Sequence, residues 1–465
     1  MDEIKNSCRP LYHIQPPEGW MNDPNGIIWY KERYHVWFQY APDSPSGSGR
    51  KCWGHYSSDD LVNFRFEGIS IEPDCEYDRD GAYSGNSFEG SSGLEIYYTG
   101  NVKKPGNYDY INEGRGHNVI RVLTEDGENY EGKEVILTND DYPEDLSCHV
   151  RDPRIFYENG MYYMLLGARR KDSKGGLLIM KSRDRNDWSI DREIFPEGFG
   201  YMLECPDYFN LNGKNILSFC PQGMETSGRT CQNIYNSGYI IMGNDSLSTS
   251  TDSVLLNDIK RQEFREWDMG FDFYAPETML ASDGRRILIG WAGVPDAPYG
   301  NDPAVEEGWQ HTLTVPRELS LKGDIILQQP VRELEMAHGR NICWSRDNTY
   351  IDSLSFDMTI AAGEQKDLHL KFNDDLEFCV EDSVASLRFS GNGFGRDSRE
   401  ADLTEPGLFR NARILFDRSM IEIFLNDGEI VFTTRYYPEN REGVNVRMKE
   451  DCRTECFEMM KTVSF

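Results

Sequence analysis

Short runs of aromatic and β-branched residues, separated by turns rich in Gly, Asp and Asn, recur along the first two thirds of the chain, and helical periodicity is almost absent. The clearest runs begin at Tyr34 (Tyr-His-Val-Trp-Phe-Gln-Tyr), Leu94 (Leu-Glu-Ile-Tyr-Tyr-Thr), Met161 (Met-Tyr-Tyr-Met-Leu-Leu), Asn215 (Asn-Ile-Leu-Ser-Phe) and Arg286 (Arg-Ile-Leu-Ile-Gly-Trp). Two of these units share a downstream echo, a Ser-x-Asp turn that ends on an aromatic residue at Phe64 and at Trp188. A strand, a turn, a strand and a polar turn, five times over, predict a five-bladed β-propeller of four-stranded blades.

The pattern changes after about residue 325. Gln328–Gly339 carries Pro near its start and Gly at its end, the marks of a short linking helix. Alternating strands follow at Ser355–Met358, Leu368–Phe372 and Ser386–Phe389. The clearest pair is Ile421–Phe424 and Ile430–Thr433, joined through Asn426-Asp427-Gly428 as a hairpin. The expected fold is therefore all-β: a propeller over residues 1–327, a linker at 328–340, and a supporting β-sandwich at 341–465.

Composition narrows the class. At 465 residues the chain calls for two domains, and 49 basic against 79 acidic residues give a net charge of -30. Such a surface repels nucleic acid and anionic lipid, so neither is an expected partner. No apolar run approaches the roughly 20 residues that span a bilayer. Met1–Asn6 has neither a basic nor an apolar leader character, so a cytoplasmic location is expected. The 11 cysteines are scattered without a CxxC pair and read as reduced thiols.

The polar motifs fall on the repeat. Trp20-Met21-Asn22-Asp23-Pro24-Asn25-Gly26, Arg151-Asp152-Pro153 and Glu204-Cys205-Pro206-Asp207 each place an acid near a Pro, close before an apolar strand. Taken singly, each reads as a turn. Asp23, Ser84, Asp152, Glu204 and Glu277, however, all stand nine to eleven residues before the strand starts named above. In a propeller, matching offsets converge on one end of the axis, so acids distant in sequence become neighbours.

With these motifs, and with Gln39, Trp53-Gly54-His55, Tyr83-Ser84-Gly85, Phe273-Tyr274-Ala275-Pro276, Gly290-Trp291 and Leu313–Leu319, the chain resembles glycoside hydrolase family 32, the β-fructofuranosidases, from about Arg9 to its end. Gly200-Tyr201-Met202 and Gln232-Asn233-Ile234-Tyr235 resemble that family's branch of bacterial intracellular sucrose-6-phosphate hydrolases. The resemblance implies a propeller followed by a sandwich. It makes Asp23 the nucleophile, Glu204 the general acid and base, and Asp152, with Arg151 beside it, a binder of fructose hydroxyls that stabilises the transition state. Asn22, Gln39, Trp53 and Ser84 would form the fructose-binding shell, with His55 behind it. The reaction it implies is retaining hydrolysis of a terminal fructosyl unit, with carboxyls roughly 5–5.5 Å apart. No metal and no cofactor is called for, and the partner is a small sugar.

Three departures fall on motifs that would form the sugar-binding rim: Ser48 where the family often has Trp, Asn86 after Tyr83-Ser84-Gly85, and Glu277 where Gln is usual. They leave the leaving group open between sucrose, sucrose 6-phosphate and a short fructan, with transfer to a second sugar as a further outcome. A phosphorylated substrate would want a cation, for which Arg50, Lys51 and Arg79 are candidates. A carbohydrate-binding propeller without activity is the alternative of a different class, and against it stands the presence of all three acids.

Overall fold

The computed structural model describes residues 7–90, 93–243, 246–248, 259–345, 347–363, 366–404 and 408–465; Met1–Asn6, on which the leader reading rests, lies outside them. Five sheets follow one another in its N-terminal part, each built antiparallel from its first strand. They run from Gly19–Tyr30 to Phe64–Ile71, Ala82–Gly90 to Tyr130–Leu137, Leu146–Glu158 to Ser189–Ile194, Met202–Leu211 to Arg265–Glu266, and Tyr274–Leu280 to Ile325–Pro330. The first strands touch in a closed circuit, each on the next and the fifth back on the first, which is propeller geometry. Two short parallel strands flank the first sheet, Trp309–Gln310 and Val463–Ser464.

The apolar runs of the sequence are the second strands of these sheets: Arg33–Ala41, Gly93–Lys103, Met161–Arg170, Lys214–Gln222 and Arg286–Trp291. Each sheet packs between two others, so its inner strands lose the polar face that an open antiparallel sheet would keep. Val36, Ile96, Leu165, Ile216 and Leu288 are accordingly fully buried.

The acid-bearing motifs are not turns. They lie inside the first strands, and every first strand slips register there: between Met21 and Pro24, Tyr83 and Gly85, Arg151 and Arg154, Glu204 and Asp207, and Tyr274 and Glu277. A bulge frees one residue from the ladder and re-aims its side chain. Pro24, Pro153, Pro206 and Pro276 stand at four of these places, where a residue without an N–H costs no ladder bond. Asp152, Cys205 and Ala275 take the left-handed conformation, with φ of 61°, 45° and 46°. That conformation is costly for residues other than Gly and is held here by the surrounding sheet.

Below the bulges the strands are stitched around the axis. Asn25 accepts from Gly85 N at 3.2 Å, Asn86 from Ile155 N at 3.0 Å, Asp207 from Thr278 N at 2.9 Å, and Glu277 from Ile27 N at 3.1 Å. Each bond ties one first strand to the next.

Between the two halves the structure differs from expectation. Strand Ile325–Pro330 pairs with Arg317–Lys322, so residues 328–330 belong to the fifth sheet. The expected linking helix is a 3-10 segment, Arg332–Ala337, and His338–Asn341 is already a strand. Pro330 ends a strand here instead of opening a helix.

The C-terminal part is a sandwich of two six-stranded sheets over a core that includes Phe356, Phe378, Phe416 and Phe432. The Met420–Leu425 and Ile430–Arg435 hairpin forms as expected, with Asn426, Asp427 and Gly428 all at positive φ. Buried ion pairs join the halves: Arg317, 3.2 Å from Asp268 of its own half, reaches Glu422 at 2.6 Å, and His13 stands 2.9 Å from both Asp417 and Glu422.

Candidate active site

A cavity of about 600 Å³ is lined by Asp23, Asp152 and Glu204, which arrive from the first, third and fourth sheets. Asn22, Gln39, Ser84 and Arg151 line it as well. The bulges explain the convergence: Asp23 and Asp152 leave their ladders where their strands slip register, and Glu204 is the last paired residue before its own slip.

Each carboxylate is held by different donors. Ser84 Oγ donates to Asp23 Oδ2 at 2.5 Å. Glu204 takes Gln222 Nε2 at 2.6 Å and the Tyr274 hydroxyl at 2.7 Å on Oε2, while Arg151 bonds Oε1. Asp152 accepts from the Cys205 backbone N–H at 3.0 Å, and its own N–H donates to Thr99 Oγ1 at 2.9 Å. The Cys205 thiol sits between two acids, 3.7 Å from Asp23 Oδ2 and 3.8 Å from Asp152 Oδ2. Asn22 bridges Trp20 Nε1 at 3.0 Å and Gln39 Oε1 at 2.5 Å, so the amides are fixed before any ligand arrives.

The charges oppose one another. Burial raises the Asp23 pKa above the usual carboxylate range, hydrogen bonds from Ser84 and Asn22 pull it back, and Glu204 raises it further. Burial also raises Asp152, against the Arg151 guanidinium and with Glu204 adding to the rise. His149 is pushed down to about 3 by burial and then by Arg151, and is neutral at pH 7.

Two expectations are corrected. Trp53 does not line the cavity: it is fully buried, packs edge-on against Tyr98, and donates its indole N–H to the Tyr83 carbonyl at 3.0 Å. It supports the strand that carries Ser84 instead of facing a ligand. Glu277 is not on the rim either. It is buried under the bulges, 2.7 Å from Arg154, and bonded to Ile27 N. His55 is buried outside the cavity lining, 3.0 Å from His35.

Tyr274, Gln222, Trp20, Trp291, Tyr83, Arg115, His117 and His149 were not assigned to the site from sequence, yet each lines the cavity or bonds Glu204. Tyr274 had a signal, because it opens the bulge of the fifth first strand as Tyr83 opens that of the second. Gln222, at the end of a second strand, had none. The Ser-Gly run around Ser48 approaches Trp20 so closely that a Cβ on Gly47 would lie 2.8 Å from the indole, which explains a small residue there.

Comparison with known proteins gives matches along nearly the whole chain. The family model described as the glycosyl hydrolases family 32 N-terminal domain matches residues 13–330, and that described as the family's C terminal matches residues 347–460. A sucrose-6-phosphate hydrolase of Bacillus subtilis is 34% identical over 449 residues, spanning 92% of this chain and 89% of that protein. A raffinose invertase of Escherichia coli is 33% identical over 455 residues, 93% of this chain and 90% of its own. Among solved structures, sucrose-6-phosphate hydrolase from Lactobacillus gasseri superposes with a TM-score of 0.84 at 28% identity, covering 98% of this chain and 93% of that one. A family 32 β-fructofuranosidase of Bombyx mori gives a TM-score of 0.81 at 27% identity, over 98% of this chain and 94% of that one. With both family models matched over most of its length and a relative this similar along nearly the whole chain, the protein belongs to glycosyl hydrolase family 32.

Proposed function

We propose that the protein is a retaining β-fructofuranosidase that releases the terminal fructosyl unit of sucrose or of sucrose 6-phosphate. The observation that carries this reading is the meeting of Asp23, Asp152 and Glu204 in one cavity, each with its own donors. The relatives named above support the sucrose-type substrate.

In the first step Asp23 attacks the anomeric carbon of the fructosyl unit, and the bond to the glucosyl oxygen breaks. Glu204 gives that oxygen its proton, so glucose or glucose 6-phosphate leaves neutral at the bond just broken. Asp152 holds ring hydroxyls as positive charge develops on the sugar, with Arg151 spanning Asp152 and Glu204. In the second step Glu204, now a base, takes a proton from water. The resulting hydroxide attacks the anomeric carbon, fructose leaves, and Asp23 returns as a carboxylate. Asn22 and Gln39 face hydroxyls as preorganised amides. A cytoplasmic location accords with this reading, because a charged sugar phosphate does not diffuse through a bilayer.

The test is fructose release from sucrose and sucrose 6-phosphate by the wild type, Asp23→Ala and Glu204→Ala, with the anomer first formed read by NMR. Loss of at least about 10³-fold in both variants, with retained configuration, is expected. Wild-type activity in either variant, or an inverted product, refutes the assignment.

A further inference from the structure

Three cations line the cavity: Lys51, Arg115 and Arg151. Arg151 is paired with Glu204. Among the described residues, Lys51 and Arg115 bond only neutral groups. Lys51 donates to the Gly47 carbonyl and lies 5.9 Å from the Trp20 ring centroid. Arg115 donates to the Tyr110 carbonyl at 3.2 Å and to Asn101 Oδ1 at 2.8 Å. The other sequence candidates are engaged elsewhere: Arg50 is tied to Glu72 at 2.7 Å, and Arg79 lies 3.6 Å from Asp80.

His117 adds an independent observation. It lines the same cavity, is 1% exposed, and among the described residues neither of its ring nitrogens has a hydrogen-bond partner. A buried polar ring left without partners is costly unless a ligand completes it.

These groups form one wall at the seam of the first and second sheets. The Tyr83 ring stands 6.1 Å from that of His117. A Cβ on Gly81 would lie 2.7 Å from Tyr83 Cε1 and 3.0 Å from Lys51 Cβ. The Gly81 carbonyl accepts from Asn101 N at 2.8 Å, and Asn101 in turn accepts from Arg115. On a chain of net charge -30, a wall holding two cations without carboxylate partners and an unpartnered imidazole is a recognition feature for an anion.

We propose that Lys51, Arg115 and His117 form a phosphate subsite within the substrate cavity, which takes the phosphate of sucrose 6-phosphate; this rests on the fructosyl reading of the same cavity. The Arg115 fork and the Lys51 ammonium supply charge, and the His117 N–H supplies a directed donor. The three converge on a substituent that sucrose lacks.

The experiment compares kcat/KM for sucrose 6-phosphate with that for sucrose in the wild type, Arg115→Met, Arg115→Lys and Lys51→Met. It also measures inhibition by inorganic phosphate. The ratio of the two substrates is independent of the fraction of enzyme folded, so a destabilised variant remains informative. The expected result is a wild-type ratio above about tenfold, a fall in that ratio of about tenfold or more in Arg115→Met and Lys51→Met, and partial recovery in Arg115→Lys. Phosphate should compete with substrate in the wild type, and more weakly in Arg115→Met. A wild-type ratio below tenfold, or a ratio unchanged in both neutral variants, overturns the subsite. If the wild type releases fructose from neither sugar, the fructosyl reading has failed on its own. Calorimetric titration with inorganic phosphate then decides the subsite: heat lost in Arg115→Met upholds it, and no binding by the wild type overturns it.

Discussion

Ser84, on the first strand of the second sheet, donates its hydroxyl to Asp23 of the first sheet at 2.5 Å. The bond crosses a seam between two blades and joins residues 61 apart in sequence. It also opposes burial, which raises the Asp23 pKa. As the proposed nucleophile, Asp23 works only when ionised, so activity rises with pH through its pKa. Removing a donor that favours the charged form moves that rise to higher pH. Ser84→Ala is therefore expected to shift the acidic limb of kcat/KM upward by about one to two pH units, since a hydrogen bond to a charged group contributes roughly 1.5–3 kcal/mol. An acidic limb left in place, or moved down, would show that the bond does not tune Asp23.

Tyr274 reaches Glu204 from the fifth sheet at 2.7 Å, beside Gln222 and Arg151. Three donors from three elements fix the position of the proposed acid. Tyr274→Phe keeps the ring against Trp291 and removes one bond to the carboxyl. A fall in kcat of about tenfold, with KM nearly unchanged, is expected, because the lost contact serves the reacting group and not the sugar. A rise in KM at constant kcat would mean instead that the hydroxyl holds substrate.

What the sequence made legible follows from periodicity. The second strands are buried on both faces, so their apolar runs stand out, and the acids fall nine to eleven residues before the starts of those runs. The bulges were not legible, because Asn-Asp-Pro has the same composition in a turn and in a slipped strand. Trp53 shows the complementary limit: its place in a motif says that it matters, while only packing says that it supports Tyr83. Arg115, His117 and Gln222 gave no signal, since they lie on second and third strands whose ends reach the cavity only after the sheets close into a ring. The sandwich hairpin was plain from Asn-Asp-Gly, whereas the linker was misjudged because Pro330 serves equally as the end of a strand.

His13 is fully buried between Asp417 and Glu422, where the propeller meets the sandwich. Burial by itself would lower its pKa, but hydrogen bonds to the two carboxylates raise it overall, and both carboxylates are held below their ordinary range despite burial. The imidazolium contributes stability that is fully present below the unfolded value of about 6.5 and is lost as pH rises through the higher folded value. The carboxylates contribute stability that is present above their unfolded values of about 4 and is lost as pH falls through the lower folded ones. The cluster thus stabilises most between about pH 4 and 6.5. His13→Ala leaves the buried Asp417 without its cation and Glu422 with Arg317 alone, and is expected to cost about 3–5 kcal/mol in urea unfolding at pH 6, with a smaller cost at pH 9. Equal costs at the two pH values would show that His13 is neutral in the folded protein.

Glu277 and Arg154 face each other at 2.7 Å beneath the cavity, with Asp207 3.0 Å from the same guanidinium. One cation thus serves two buried carboxyls. Burial pushes Glu277 up to about 8; Arg154 opposes the shift and Asp207 adds to it. A carboxyl whose folded pKa lies above its unfolded value of about 4.3 keeps a proton that the unfolded chain has released, so stability falls as pH rises between those values. Gln at this position still accepts from Ile27 N–H and still meets Arg154, but it has no proton to lose. Glu277→Gln is therefore expected to gain on the wild type by at least about 1 kcal/mol between pH 5 and pH 8, read from urea unfolding at both. At pH 5 Glu277 is protonated, so Gln takes no charge away from Arg154 there, and the two curves part only as the wild type loses stability towards pH 8. Parallel curves would mean that Glu277 is ionised throughout, in which case the axis holds a full carboxylate–guanidinium–carboxylate triad and removal of either acid should destabilise at every pH.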